Sequence, residues 1–253
     1  MTTILINYAS SRFKRRQRLS AYSAIVKGGV DYSIRYQPQQ LSADFVESNR
    51  FLLGDLKGAG MWVWKPHIIL DAMDKTDLGD VIVYCDSGAL ITSSLEPLTD
   101  ACRRLTDGIL SFEVGKGFIE RQWTKRDAFV LMNCDNSACR DTPQLRAGTI
   151  IFVNCDASRK FVEEWMKLVR QVRLVTDLPS QCGLPNFIDF RSHRHDQSLF
   201  SLLYKKHGYI SCEQLTGLHL GPIVQDHLQS EPSLVKLLHT YFNSKMYRGF
   251  ASQ

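Results

Sequence analysis

The sequence lacks the features that would place the chain in a membrane, on a secretory route or in a repeat array. No apolar run approaches the roughly 20 residues that a membrane-spanning helix needs. The first residues carry neither the charged start nor the long apolar core of a secretory signal peptide. No repeat occurs, and the composition is ordinary for a globular domain, with 44% hydrophobic and 23% charged residues. We therefore expect a soluble, cytoplasmic protein.

Paired cysteine motifs are also missing. The chain has seven cysteines, an odd number, and none of them forms a C-x-x-C pair. This pattern predicts free thiols in a reducing compartment rather than a disulfide framework. Cys134 and Cys139 are close enough in sequence to be considered as metal ligands, but no second pair and no nearby histidine supports that role.

Three signatures of nucleotide-binding and hydrolytic enzymes are absent. The chain contains no G-x-G-x-x-G, no G-x-x-x-x-G-K-[ST] and no G-x-S-x-G, the patterns typical of dinucleotide-binding folds, P-loop proteins and α/β-hydrolases. The net charge is a modest +5. This excess favours an anionic ligand or an anionic membrane surface and is too small to indicate nucleic acid, so no nucleic-acid partner is expected.

The patterns that are present indicate an α/β domain. Apolar runs at Ile4–Tyr8, Val81–Tyr84 and Thr149–Val153 predict buried strands, and amphipathic segments between them predict helices. Alternating strands and helices favour a mostly parallel central sheet flanked by helices. With 253 residues the chain is long enough for one such domain over 1–253, with a C-terminal helix and tail from about residue 230.

An acid follows the most apolar of these strands. Asp86 comes directly after the run that starts at Val81, and Ser87 and Gly88 follow it. In open α/β sheets, ligands bind at the carboxyl ends of strands, and small residues let a ligand approach the backbone. Asp86 is therefore a candidate for holding a cation or a sugar hydroxyl. The alternative is a strand that ends in an Asx-type turn, in which the side chain bonds to its own backbone.

Basic residues mark two further candidate sites. Lys65 precedes Pro66, which suits the first turn of a helix, so the lysine lies beside a helix N-terminus and both attract anions. The alternative is an ordinary exposed lysine. A second basic cluster, Lys14–Arg18, crowds the start of the first predicted helix. It forms either a solvated face or a phosphate-facing patch beside the first loop.

Three motifs, in this order along the chain, resemble a known family. Trp62-Val63-Trp64-Lys65-Pro66, then Gly79–Gly88, then His193-Arg194-His195-Asp196-Gln197-Ser198 are similar to segments of bacterial GT-A-type glycosyltransferases, which make capsule or lipopolysaccharide glycans. The resemblance extends from Ile4 to about Gly221. It implies a Rossmann-like sheet that binds a nucleotide-sugar donor, with a UDP-sugar as the expected donor and a glycan or lipid-linked molecule as the acceptor.

The resemblance also implies which residues form the site. Its donor-binding residues correspond to Tyr8, Ala9, Ser10, Trp64, Lys65, Asp86, Ser87, Gly88, Arg146 and Gly148. The segment His195-Asp196-Gln197 is similar to the Asn-Asp-Gln element of retaining galactosyl- and glucosyltransferases, which lies close to the reacting sugar. The resemblance therefore implies a catalytic role for these three residues.

The metal-binding motif of that family is only partly present. Asp86-Ser87-Gly88 stands at the position of its Asp-x-Asp, so Gly88 replaces the second aspartate, which is usually the firmer metal ligand. The resemblance still implies a divalent metal, manganese or magnesium, held by Asp86, the diphosphate, water and His219, because His219-Leu220-Gly221 is similar to the C-terminal metal histidine of related enzymes. In the alternative, Lys65 and the arginines neutralise the leaving diphosphate without a metal. The alternative for His219 is an ordinary surface or core histidine.

The implied reaction is the transfer of a hexose, with galactose as the family-level expectation, to a glycan or glycolipid acceptor. The similarity of Asp196-Gln197 to a retaining element favours retention, in which Asp196 steadies an oxocarbenium-like centre. Inversion is the alternative, and Asp196 or His195 would then be the base that takes the proton of the acceptor hydroxyl.

Two other functions fit parts of the sequence. A nucleotidyltransferase acting on a sugar phosphate has a similar fold, although Ala9–Arg18 lacks the glycine-rich character expected of its first loop. A non-catalytic protein would bind polyanions through Lys14–Arg18, with strong salt dependence. The aromatic tail Tyr241–Phe250, which carries Lys245 and Arg248, either contacts the anionic inner face of a membrane or is a docked terminus.

Overall fold

The computed structural model describes residues 1–115, 117–213 and 221–225. A five-stranded sheet has the strand order β2-β1-β3-β6-β5, and a two-stranded sheet pairs β4 with β7. The strands are β1 (Thr3–Tyr8), β2 (Tyr32–Tyr36), β3 (Val81–Cys85), β4 (Ala89–Ile91), β5 (Ile109–Glu113), β6 (Leu145–Val153) and β7 (Ile223–Gln225).

Helices of four to 15 residues connect the strands. They are α1 (Lys14–Gly28), α2 (Ala43–Ser48), α3 (Arg50–Leu53), α4 (Gly58–Met61), α5 (Trp64–Asp74), α6 (Glu96–Arg103), α7 (Glu120–Trp123), α8 (Arg126–Leu131), α9 (Ser137–Arg140), α10 (Asp156–Val169), α11 (Val172–Val175) and α12 (His195–Lys206). Within the described ranges, none of them is both long and apolar enough to cross a bilayer.

The sheet is mostly parallel. β1 pairs in parallel with β2 and β3, whereas β6 runs antiparallel to both β3 and β5. β6 is therefore the one reversed strand of the five, and the predicted α/β class, with a mostly parallel sheet flanked by helices, is confirmed. The extent of the domain over 1–253 stays a prediction, and the helix and tail expected from about residue 230 lie outside the described residues.

Apolar side chains cover both faces of the sheet. Ile4 and Ile6 belong to a core that includes buried residues of α5, α10 and α12. Leu5, between them in sequence, belongs to a second core with buried residues of α1 and α6. Since successive residues of a strand point to opposite faces, a continuous apolar run is what a doubly covered strand requires. Each fully buried aliphatic side chain contributes about 1.5–3 kcal/mol, so the ends of the central strands are rigidly placed.

The cysteines are free thiols, as their odd number and spacing predict. Cys134 is buried, and burial raises the pKa of its thiol to about 12. A metal ligand must be a thiolate. Cys134 and Cys139 are therefore interpreted as core residues.

Candidate active site

A cleft opens at the edge of the sheet where β3 ends. Its volume is about 730 Å³, an ordinary size for a small-molecule site. β1, β3 and β5 end at this edge, and the antiparallel β6 begins there. Ligands of open α/β sheets bind at such edges. The cleft is lined by Lys57, Trp62, Lys65, Asp86, Val114, Phe118, Arg146, Gly148, Ser192, His193, Arg194, His195, Asp196 and Gln197.

Asp86 presents its carboxylate to this cleft. The turn after β3 is closed by the main chain, because the Ala89 N–H donates to the Asp86 carbonyl at 2.9 Å, and the Asp86 N–H donates to the Gly148 carbonyl at 2.8 Å. The Tyr84 hydroxyl donates to Asp86 Oδ1 at 2.6 Å. The carboxylate is thus not what closes the turn, and 44% of the side chain is exposed.

Lys65 and Asp196 form a buried ion pair beside Asp86. Each is the second residue of its helix, α5 and α12 respectively. The ammonium Nζ of Lys65 lies 2.5 Å from Asp196 Oδ2, donates to the Ala147 carbonyl at 3.0 Å and is 3.8 Å from Asp86 Oδ1. The exposed fractions of Lys65 and Asp196 are 2% and 4%. The alternative of an exposed lysine is therefore wrong, and the pair links two helices at the cleft.

Burial controls the protonation of Asp196. Removal from water raises the pKa of its carboxyl to about 6, although the ammonium of Lys65 acts in the opposite direction. The nearby Asp86 carboxylate adds to the increase. Asp196 is consequently ionised and paired at neutral pH and gains a proton below about pH 6. A carboxyl whose pKa is displaced toward neutrality inside a cleft is a candidate functional group.

The carboxamide of Gln197 is held in one orientation. Its Oε1 accepts from the Ala147 N–H at 3.2 Å, and its Nε2 donates to Gln144 Oε1 at 2.9 Å. Gln144 is oriented in turn, because its Nε2 donates at 2.9 Å to the carboxylate of Glu120, which is fully buried. An ionised carboxylate only accepts hydrogen bonds, so Glu120 determines which end of each amide faces which neighbour. Sequence reasoning missed Gln144 and Glu120 as site residues, since neither lies in a motif.

His195 begins α12 in the left-handed region, with a φ of 48°. Its Nδ1 donates to the Val175 carbonyl at 2.7 Å, because a carbonyl can only accept. Its buried Nε2 has no hydrogen-bond partner among the described residues and lies 3.7 Å from Asp177 Oδ1. Burial lowers the pKa of the imidazole, so the ring is neutral at pH 7. Strained residues of this kind cluster at ligand sites.

A left-handed turn packs against His195. Five consecutive residues, 58–62, have positive φ, among them the L-residues Ala59, Met61 and Trp62. The left-handed region costs roughly 1–2 kcal/mol for each L-residue. The turn places the indole of Trp62 against the imidazole of His195, with ring centroids 5.4 Å apart and planes 28° from parallel. Next to it, Lys57 pairs with Asp177 at 2.5 Å. These contacts tie the turn to the segment that precedes α12.

Alanine at Gly58 is expected to disrupt this turn. Gly58 has a φ of 60°, and an added Cβ would fall inside the van der Waals radius of the Trp62 ring. We expect a loss of about 3 kcal/mol or more in the free energy of unfolding, from overpacking added to backbone strain. Urea unfolding measures this loss.

Gly29 provides the matched control for Gly58. Its φ is 73°, but nothing lies within 4 Å of its added Cβ, so Gly29→Ala should cost only about 1–2 kcal/mol of strain. Removing the ring in a Gly58→Ala, Trp62→Ala double variant should recover the overpacking part. Equal losses in the two single variants would show that contact with Trp62 contributes nothing.

The structure brings together seven of the predicted site residues, because they all line the cleft: Lys65, Asp86, Arg146, Gly148, His195, Asp196 and Gln197. Ser87 and Gly88 follow Asp86 and are half-buried. His219 lies outside the described residues. The roles of all these residues remain predictions.

Six predicted donor-binding residues do not line the cleft, namely Ser87, Gly88 and four residues at or near β1 and the start of α5. Tyr8, Ala9 and Trp64 are buried, and Tyr8 stacks on Trp64 with ring centroids 3.9 Å apart. Ser10, just beyond β1, is half-buried. Their donor-binding role stays a prediction. Apolar and aromatic residues at a strand end serve a core equally well, and sequence patterns do not separate the two uses.

Several lining residues were not among the predicted ones. Lys57, Val114, Phe118, Ser192 and Arg194 reach the cleft from three separate parts of the chain. Arg194 had one available signal, since it lies within the motif that carries Asp196. The others are single residues in loops or at strand ends, where no spacing rule applies.

The described residues do not form a metal site by themselves. They contain no group of three or more histidine, cysteine, aspartate or glutamate side chains placed to hold a metal ion. Asp86 Oδ1 already accepts from Tyr84 and lies near the Lys65 ammonium, and Gly88 offers no side-chain ligand. The remaining predicted ligand, His219, is not described. No step of the mechanism proposed below is therefore assigned to a metal.

The chain is similar to known proteins in structure but not in sequence. No protein-family model and no curated protein sequence matches the chain. The solved structure of mouse xyloside xylosyltransferase 1, in its apo form, matches with a TM-score of 0.51 over 92% of this chain and 100% of that one, at 9% identity. The chain shares the GT-A fold.

Weaker structural matches include the protein LgtC. An active-site mutant of LgtC matches with a TM-score of 0.48 at 14% identity, over 90% of this chain and 89% of that one. The galactosyltransferase LgtC in complex with donor and acceptor sugar analogues matches with a TM-score of 0.40 at 13% identity, over 79% of this chain and 70% of that one. At such low identity, similarity of structure extends to the fold and not to the reaction.

Proposed function

We propose that the protein is a glycosyltransferase that moves a hexose from a nucleoside-diphosphate sugar to a glycan or glycolipid acceptor. The observation that carries this proposal is the buried Lys65–Asp196 pair, which lies beside Asp86 and Gln197 in a cleft at the carboxyl edge of the sheet. Such a set offers carboxylates for sugar hydroxyls and for a positive anomeric centre, together with a cation for a leaving phosphate.

The proposed reaction breaks the bond between the anomeric carbon and the diphosphate oxygen and forms a bond to the acceptor oxygen. Asp196 stabilises the positive charge that develops at the anomeric carbon. Lys65 and Lys57 stabilise the charge that develops on the leaving diphosphate. The acceptor hydroxyl gives its proton to that diphosphate. Retention follows from this arrangement if the acceptor attacks from the face that the diphosphate leaves.

The orientation of Gln197 supports a place for its oxygen beside the reacting sugar. Its Oε1 has one bond, from the Ala147 N–H, and a second lone pair remains for the cleft. UDP-galactose is the donor we propose to test first, since the resemblance of Asp196-Gln197 is to a galactosyl- and glucosyltransferase element. The neutral His195 Nε2 is the group that would act as a base in an inverting reaction.

Donor binding and donor hydrolysis test the proposal directly. We expect UDP and UDP-sugars to raise the melting temperature, because a ligand at 100 times its Kd adds about 2.7 kcal/mol to the free energy of unfolding. The screen is run with and without manganese, and release of UDP from UDP-galactose is then followed by chromatography. Failure of every nucleotide sugar to bind or be hydrolysed would reject a glycosyltransferase.

A nucleotidyltransferase would give a different result in the same screen. It would be stabilised by UTP, and it would convert UTP and a hexose 1-phosphate into a nucleotide sugar and pyrophosphate. A polyanion-binding protein would respond to polyphosphate or RNA, with affinity that falls steeply as salt rises, and it would not distinguish UDP-galactose from other anions.

A further inference from the structure

Two arginines, Arg146 and Arg194, line the same cleft near the end of β5. Arg146 is the second residue of β6, and Arg194 immediately precedes α12. Both side chains are half-buried. Burial lowers the pKa of each guanidinium, and the charge of Arg146 lowers the pKa of Arg194 further. The negative charge of Glu213 acts in the opposite direction on the pKa of Arg146, and that of Glu120 does so on the pKa of Arg194. Two like charges that disfavour each other in a cleft are relieved by a bound anion.

Arg194 keeps most of its hydrogen-bonding capacity for a ligand. Its guanidinium lies over the ring of Trp123 at 4.0 Å and near that of Phe118 at 5.0 Å, measured to the ring centroids. One of its five N–H donors reaches Gln144 Oε1, at 3.5 Å. No carboxylate of the described chain forms an ion pair with it. An arginine stacked in this way is oriented to bind a phosphate or a carboxylate with its edge.

Arg146 is fixed on the β5 side of the cleft. Its Nε and Nη2 donate to the carbonyls of Glu113 and Val114, at 3.0 and 2.9 Å, where β5 ends. The strand order β1-β3-β6-β5 puts three strand spacings, about 14 Å, between β1 and β5. If the nucleotide lies toward β1 and the diphosphate at Asp86, the arginines lie beyond the transferred sugar, where the acceptor must approach.

We propose that Arg146 and Arg194 bind an anionic group of the acceptor, a phosphate or a carboxylate carried by the molecule whose hydroxyl is glycosylated. The inference rests on the proposed function, with the nucleotide of the donor toward β1 as the resemblance of Tyr8, Ala9 and Ser10 implies. It differs from the donor role that the resemblance implies for Arg146. The arginine pocket thereby narrows the acceptor class from glycans in general to those with a negative charge near the reacting hydroxyl.

Inorganic phosphate is the probe for this pocket, with binding measured by calorimetry in the presence and absence of saturating UDP. We expect phosphate and UDP to bind to the protein at the same time. Arg194→Gln should weaken phosphate binding about tenfold or more, which is the usual effect of losing a charge-assisted hydrogen bond. Arg194→Lys keeps the positive charge but loses the paired N–H donors of the guanidinium, so its affinity for phosphate should be intermediate. Arg191→Gln is the matched control, because Arg191 is exposed, contacts the same Trp123 ring and does not line the cleft.

Each other outcome overturns the inference. Competition between phosphate and UDP would show that the arginines hold the donor diphosphate. Equal phosphate affinity in the Arg194→Gln and Arg191→Gln variants, both folded by circular dichroism, would show that Arg194 is not a ligand. Phosphate binding is measured without any nucleotide sugar, so a failed donor screen rejects the proposed function while the anion site is still tested separately.

A panel of acceptors then tests the chemistry of the site. With UDP-galactose as donor, a hexose 6-phosphate or a uronic acid should be glycosylated with a KM at least about tenfold lower than that of the uncharged hexose. That preference should disappear in Arg194→Gln. An enzyme that prefers the neutral hexose would contradict the proposal.

Discussion

Replacing Asp196 by asparagine is expected to lower kcat for transfer or donor hydrolysis by about 10²–10³-fold. The substitution keeps the size of the side chain but removes the charge that would face the anomeric carbon, and loss of one preorganised electrostatic contact in a closed site has effects of this size. Asp74→Asn is the control, because Asp74 is an exposed partner of Arg159 far from the cleft. A folded Asp196→Asn enzyme with wild-type rates would remove Asp196 from the mechanism.

The pH profile gives the same prediction a second readout. Burial raises the pKa of Asp196 to about 6, so the ionised form that the mechanism needs is lost as the pH falls below about 6. We expect wild-type kcat to fall about tenfold per pH unit on this acid side. The residual rate of Asp196→Asn should be flat between pH 5 and 7. An unchanged acid limb in the variant would assign the titration to another group.

Replacing Lys65 by methionine is expected to destabilise the fold by about 3–5 kcal/mol at pH 8. The substitution leaves Asp196 as a buried carboxylate without its partner, and removal of one member of a buried pair has this cost. The Ala147 carbonyl also loses the donor that it accepts from at 3.0 Å. Urea unfolding at two pH values measures the change, and Lys75→Met, in an exposed pair with Asp71, should cost at most about 1 kcal/mol.

The sign of the pH dependence identifies the cause of this loss. Without Lys65, the folded-state pKa of Asp196 rises further above its unfolded value, so the folded state is favoured at low pH and that stability is lost as the pH rises through the folded pKa. The penalty of Lys65→Met should therefore be smaller at pH 5 than at pH 8. A double variant with Asp196→Leu should recover most of the stability. A penalty that is independent of pH and of Asp196 would contradict this account.

The strand ends and motifs were sufficient to select much of the cleft. Asp86 follows a run of buried residues, and Lys65 and Asp196 each lie in the first turn of a helix. Such positions can be predicted because strand periodicity and helix-start signals are local. The same reasoning selected Tyr8 and Trp64, which the fold buries against each other. An aromatic residue at a strand end has the same local signature whether it contacts a ligand or another side chain.

Contacts between distant parts of the chain escaped prediction. Glu120 orients Gln144, which orients Gln197, through hydrogen bonds that span 24 and 53 residues. The left-handed turn at 58–62 contains three residues that normally avoid positive φ. Only surrounding structure keeps them there, including the stacking of Trp62 on His195. No single-residue propensity predicts a conformation that the tertiary structure imposes.

The amino-acid sequence alone predicted the class of fold, which is confirmed, and a candidate site at the carboxyl edge of the sheet. Both follow from hydrophobic periodicity, which depends on neighbouring residues. The tertiary structure decided that Lys65 is paired with Asp196 across 131 residues, that burial brings the pKa of Asp196 to about 6, and that Arg146 and Arg194 line one cleft. Desolvation and charge pairing depend on which side chains are in contact, and those contacts form only when the chain folds.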